Sequence, residues 1–197
     1  PRDYQITYEK YKNGETLSAI VKEVRKSGTG PQIIFSRADN MFLRRLFEIE
    51  IPEIYDGIIE IKGIAREPGE RAKIAVESQD SRIDAVGACV GMKGVRIHAI
   101  VRELSNENID VVNFTDDPTL YIQRSLAPAK IKQVEVDEEA KKATVSADSD
   151  QISLIVGRNG VNIRLAMKLT GFEIDVLREE KAFEEYDEDI ELIDLKE

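Results

Sequence analysis

One eight-residue pattern occurs twice in this chain. Val90-Gly91-Met92-Lys93-Gly94-Val95-Arg96-Ile97 returns 66 residues later as Val156-Gly157-Arg158-Asn159-Gly160-Val161-Asn162-Ile163. That spacing is the length of one small domain, so the pattern constrains the chain to a tandem of two like units. Chance does not explain it. Twelve glycines in 197 residues give about one Gly-x-x-Gly at random, whereas here the surroundings match too. Ile97, Ile100 and Val101 share one side of a helix, and Ile163, Ala166 and Met167 repeat those places. Downstream, Ile109-Asp110-Val111 returns as Ile174-Asp175-Val176 at an offset of 65. Upstream, Lys73-x-Ala75-Val76 reads as the counterpart of Lys142-x-Thr144-Val145, and Ile83 as that of Ile152, both at 69. On this alignment the first copy holds three extra residues before its loop and one after its helix.

The elements follow the same repeat. Residues 16–25 and 32–36 read as strands around the turn cluster Ser27-Gly28-Thr29-Gly30-Pro31. Asp39 opens a helix over 39–47, with Met41, Phe42, Leu46 and Phe47 on or near its buried stripe. Strands 58–65 and 71–77 flank Pro68-Gly69. A short helix over 82–89, the loop 91–94, a helix over 95–105 and a strand over 109–114 complete the first unit. Asp116-Asp117-Pro118 starts a helix running to 126. Strands 130–136 and 142–147, a short helix capped by Ser149 or Asp150, a helix over 160–170 closed by Gly171 and a strand over 172–178 complete the second. The order helix, strand, strand, helix, loop, helix, strand is thus written twice, an α+β class.

Composition narrows the function classes. Hydrophobic content of 42% and charged content of 34% suit a globular protein. The net charge is -10, which looks unsuited to a nucleic-acid partner until it is mapped. Residues 179–197 hold ten acidic side chains against Lys181 and Lys196, so the remainder carries only -2. This acidic stretch is expected to be a mobile tail that repels nucleic acid or occupies a basic patch of the folded part. The single cysteine, Cys89, excludes an internal disulfide, fits a reducing cytosol and reads as a small packing residue before the loop. No apolar run nears the ~20 residues of a spanning helix, so no membrane partner is expected. Pro1 at the start suggests a fragment or a processed chain.

The paired loops carry the chemistry. Gly-x-x-Gly entering a helix resembles the loop with which KH domains clamp a nucleic-acid backbone. Glycine lets a sugar-phosphate chain approach closely, and the amides and dipole at the helix start favour phosphate. The candidate RNA-binding residues are Gly91, Met92, Lys93, Gly94, Arg96 and Arg102 in the first copy. In the second they are Gly157, Arg158, Asn159, Gly160, Asn162, Arg164 and Lys168. Each middle pair supplies a cation, and Arg102 and Lys168 occupy matching places. Val90, Ile97, Val156 and Ile163 are candidates to line a groove for bases, although such residues are commonly plain core. His98, the only histidine, reads as a polar surface residue beside the loop. Asp116-Asp117 reads as a helix cap rather than a metal site.

Longer stretches bear a family resemblance. Gly87-Ala88-Cys89-Val90-Gly91-Met92-Lys93-Gly94, Ile155-Val156-Gly157-Arg158-Asn159-Gly160-x-Asn162-Ile163-Arg164-Leu165-Ala166, Ala127-Pro128-Ala129 and Arg66-x-Pro68-Gly69-x-Arg71-x-Lys73-Ile74-Ala75-Val76 are similar to the NusA family of bacterial transcription factors, over residues 14–178. Ala85 and Phe114 depart from the family's usual Pro and Trp. The resemblance implies two tandem prokaryotic-type (type II) KH domains preceded by a partial S1 (OB-like) β segment. The implied boundaries are 1–37 for the S1 segment, 38–115 and 116–178 for the KH domains, and 179–197 for the tail. It further implies binding of single-stranded nascent RNA in elongation, termination and antitermination, in the cytoplasm. RNA polymerase would be contacted mainly through an N-terminal domain absent here, and other elongation or antitermination factors are further implied partners. No cofactor, metal or catalytic residue is expected. A ribosome-associated or RNA-processing KH/S1 accessory protein and a protein-binding scaffold are the alternatives; an enzyme is disfavoured for want of a P-loop, metal cluster or nucleophile elbow.

Overall fold

The computed structural model describes residues 1–28 and 30–179. The expected tail therefore lies outside the described residues, apart from Glu179, as does Thr29 of the first turn cluster. Two strands, β1 (Ile20–Ser27) and β2 (Gly30–Ser36), form an antiparallel hairpin. Residues 16–19, expected to extend β1, are not strand. The hairpin is not free-standing. Ile6, from the segment before it, is buried in the first unit's core beside Phe42 and Leu43, and the amides of Arg37 and Ala38 donate to the Tyr4 carbonyl at 2.9 and 3.2 Å.

The first unit runs α1 (Asn40–Glu50), α2 (Pro52–Tyr55), β3 (Ile59–Glu67), β4 (Arg71–Ser78), α3 (Ala85–Val90), α4 (Val95–Glu103) and β5 (Asn108–Asn113). The second repeats it with α5 (Pro118–Ser125), β6 (Gln133–Asp137), β7 (Lys142–Asp148), α6 (Ile152–Val156), α7 (Val161–Thr170) and β8 (Glu173–Glu179). The short helix α2 has no counterpart in the second unit and was not expected. Each unit has a three-stranded sheet, in order β3-β4-β5 and β6-β7-β8. In each, the first pair is antiparallel and the last strand joins parallel after the helical crossover, as a crossover of that length allows. The fold is α+β.

Local chemistry accounts for the helix starts. The Asp39 carboxylate accepts from the Met41 amide at 2.8 Å, and Asp117 from Thr119 at 2.9 Å, so Asp117 acts as a cap. The N-cap of α6 is Gln151, without a side-chain cap bond, rather than Ser149 or Asp150. Met41 is exposed rather than buried, and Leu43 takes the inward position. The two sheets carry separate apolar cores, one around Phe47, Ile74 and Cys89, the other around Ile122, Val145 and Ile155. Burial raises the Cys89 thiol to about 12, consistent with a packing role.

The ladders correct one step of the repeat alignment. Ala72 faces Ile109 and Ala143 faces Ile174. Thr144, not Lys142, therefore occupies the place of Lys73. A two-residue slip preserves which face is buried, so hydrophobic pattern alone tolerates either register.

The units are locked together. Helix α7 lays Val161, Leu165 and Leu169 over Ala65 of the first sheet. Tyr121 packs with Ala75, Val112 and Phe114, its ring edge-on to Phe114 at 5.2 Å, and its hydroxyl donates to the Leu169 carbonyl at 3.3 Å. Gly63 lies under this contact, where a Cβ would come within 3.2 Å of Leu169.

Candidate nucleic-acid interface

The loops fold identically because their glycines occupy backbone space closed to other residues. Gly91 has φ 74, ψ 170 and Gly157 has φ 72, ψ 174, a region open essentially to glycine alone. Gly94 and Gly160 are left-handed at φ 75 and 73. The residue between them is left-handed too: Lys93 and Asn159 both have φ 53. Asparagine tolerates this conformation better than lysine. Each loop closes as a 3-10 turn. The Gly94 amide donates to Gly91 and the Val95 amide to Met92; Gly160 donates to Gly157 and Val161 to Arg158. Those amides, expected to be free at the helix start, are turned back into the loop. The outward groups are side chains: Met92 is 89% exposed, and Lys93, Arg158 and Asn159 are exposed as well.

The other candidates divide into two groups. Arg96 and Asn162 do not stand on the outer face. Asn162 is 1% exposed, and its amide nitrogen donates to the carbonyls of Leu126, Leu154 and Ile155 at 3.2, 3.0 and 3.1 Å. Its Oδ1 is buried without a partner among the described residues. Arg96, in the matching place, donates to Ala88 at 2.8 Å and to both Glu53 oxygens at 3.1 and 3.0 Å. Both side chains therefore brace the helix before the loop against the helix after it. Glycine makes room for them: a Cβ on Gly91 would lie 2.9 Å from Arg96, and one on Gly157 2.7 Å from Asn162.

Arg102 is exposed. Arg164 and Lys168 are exposed but face the first unit, where Arg164 pairs with both oxygens of Glu67 at 3.1 and 2.9 Å and Lys168 lies at 3.5 Å. The Arg164 hydrogen bond holds the Glu67 carboxyl below its ordinary range. Arg164 also donates to the Asn159 carbonyl, so one guanidinium links the second loop to the first unit. His98 is exposed, its imidazole over Gly94. Of the groove candidates, Ile97 is buried, Val90 and Ile163 are half-buried and Val156 is at the exposed margin.

Three basic residues of the upstream motif turn out to be architectural. Arg66 and Glu107 form a fully buried bidentate pair at 2.7 and 2.9 Å, and Arg66 also donates to the carbonyls of Arg37 and Asp39. Arg71 and Lys73 both reach Asp110, and Lys73 continues to the Ala127 carbonyl at 3.0 Å. Burial depresses the Lys73 ammonium's pKa against the opposing pull of Asp110. Residue type alone does not reveal these partners.

Two family models match the chain, the NusA-like first KH domain over residues 37–114 and the NusA-like second KH domain over 118–184. The chain belongs to the NusA family. Its NusA relatives include the "Transcription termination/antitermination protein NusA" of Bacillus subtilis (strain 168), 47% identical over 184 residues, which takes in 93% of this chain and 50% of the relative. The protein of the same name from Thermus thermophilus is 47% identical over 174 residues, 88% of this chain and 45% of the relative. That of Halalkalibacterium halodurans is 45% identical over 184 residues, 93% and 48%. The chain thus spans about half the length of these NusA proteins. The crystal structure of APE1850 matches 72% of this chain and all of its own, at 21% identity and a TM-score of 0.50, a likeness of fold alone. Two NusA-type KH domains in tandem are therefore the architecture of this chain. Among the described residues, no helix is long and apolar enough to cross a membrane.

Proposed function

We propose that the chain binds single-stranded RNA through both Gly-x-x-Gly loops, as the RNA-holding part of a transcription elongation, termination and antitermination factor working on nascent RNA at RNA polymerase in the cytoplasm. The observation that supports it best is the repeated loop backbone, whose glycine-only conformation leaves Met92-Lys93 and Arg158-Asn159 outward. Met92, Lys93, Arg158 and Asn159 are the proposed contacts, with the glycines admitting the sugar-phosphate chain. Arg102 is a further contact, and Arg164 and Lys168 add positive potential beside the second loop. Arg96 and Asn162 act one step removed, by bracing the loops. The work is binding rather than catalysis.

Salt titration of single-stranded RNA binding tests this reading. Phosphate neutralisation gives a steep linear fall of log K with log salt, by about 0.7 per phosphate contacted. A flat response, or no binding at low salt, overturns it and favours a protein-binding scaffold.

A further inference from the structure

The second loop borders a cavity at the seam of the two units. About 460 Å³ in volume, it lies where the loop meets the first unit's β3–β4 turn and the start of β5, within the usual range of small-ligand sites. Arg158 and Asn159 of the loop form one wall; Glu70, Arg71, Asn106 and Asn108 of the first unit and Tyr8 of the N-terminal segment stand around it. Docking of α7 creates it. Val161 is 4% exposed against the first sheet, whereas the matching Val95 is 64% exposed.

The lining has the chemistry of a base site. Tyr8 is 79% exposed, so its ring is available as a stacking surface. Among the described residues, the side-chain amides of Asn106, Asn108 and Asn159 and the Arg158 guanidinium have no hydrogen-bond partner in the protein. Asn106 is left-handed at φ 68, and the backbone amides of Asn106 and Asn108 are used by Val101 and Glu70, which leaves their side chains to a ligand. Glu70 is the one carboxylate on the wall. It repels a phosphate but accepts a hydrogen bond from an exocyclic amine.

We propose that this seam seats one base of a single-stranded RNA, stacked on Tyr8 and read at its edge by Asn106, Asn108 and Glu70, while the adjoining phosphate sits on the second loop. The proposal rests on the RNA-binding reading and adds a third point of contact beside the second loop. The two units would then read the strand jointly at a place neither forms alone.

An abasic scan tests it on the intact chain. A single-stranded RNA of about a dozen nucleotides that binds the chain is prepared with each base removed in turn, and affinities are measured for the unaltered protein and for Tyr8→Ala/Asn108→Ala. Both side chains are exposed, and an unchanged thermal melt verifies the fold of the variant. At one position, base removal should weaken binding to the unaltered protein by about tenfold, the loss expected for one stacked base. In the variant that position should lose its effect while the others keep theirs. Identical scans for the two proteins overturn the seam site. Arg158→Asp/Asn159→Asp separates the two readings. If it weakens binding about a hundredfold while the scans coincide, only the seam falls. If it leaves affinity unchanged, the RNA-binding reading of this loop falls too, and the seam with it.

Discussion

The two KH units share a fold and a loop but not their buried charges. In the first sheet, the ladder places Arg66 beside Ala72 and Lys73 beside Asp110. In the second, the matching places hold Val136 and Thr144. The first unit has neighbours on both sides: Arg66 holds the Arg37 carbonyl at the boundary with the preceding segment and the Asp39 carbonyl at the start of α1, and Lys73 reaches forward to Ala127. A unit flanked twice can spend buried cations on fixing its neighbours. The second unit is held through α7 and needs none in those places. The same contrast explains the loops. Val95 faces solvent and Val161 the first sheet, so equal backbones sit in unequal surroundings.

The contrast can be broken most forcefully at the buried pair. Glu107→Ala leaves the Arg66 guanidinium desolvated and unpaired, at an expected cost of about 3–5 kcal/mol in urea or thermal unfolding. Val136→Ala, at the place of Arg66, should cost much less; equal losses would remove the distinction. Next come the loops. Arg158→Asp/Asn159→Asp and Met92→Asp/Lys93→Asp should each weaken single-stranded RNA binding by about a hundredfold, roughly 2.7 kcal/mol, and together abolish it. Unchanged RNA affinity in the quadruple variant, with an intact melt, would refute the loop assignment.

Asn162→Ala and Arg96→Ala sharpen the comparison at one matched position. Removing Asn162 strips a donor from three carbonyls in a buried site and should cost about 2 kcal/mol. Removing the half-buried Arg96 should cost about 1 kcal/mol. Chemical denaturation gives both values, and the reverse order would contradict the geometry. The smallest effect lies at Glu67, whose carboxyl is held below its ordinary value by Arg164. A depressed folded pKa gives stabilisation that is present above the unfolded pKa, near 4.5, and lost as pH falls through the folded value. Glu67→Gln should therefore lower Tm by about 2 °C or less at pH 7, with the difference vanishing toward pH 3. A difference that persists in acid would assign the effect to packing instead.

Much of this was legible before any coordinates. The offset of 66, the caps at Asp39 and Asp117 and the stop at Gly171 are local signals, and they survive because helix ends and glycine-only turns depend on a few adjacent residues. Local pattern failed where distant groups decide. Asn162 and Arg96 read as surface because their burial rests on the neighbouring helix across the loop and on Leu126 and Glu53, 36 and 43 residues away. The strand alignment slipped by two because either register buries the same face. Helix α2 is four residues long, too short for periodicity to register.

By itself, then, the sequence determined that two like units follow one another, that each carries a glycine-gated loop, and where most elements begin, since these are matters of backbone conformation and near-neighbour pattern. Only the tertiary structure decided which cations face outward, which are buried as structural ties, and that a cavity opens beside the second loop. Those outcomes depend on pairings across 36 to 97 residues, where desolvation and packing, rather than local preference, choose the partner.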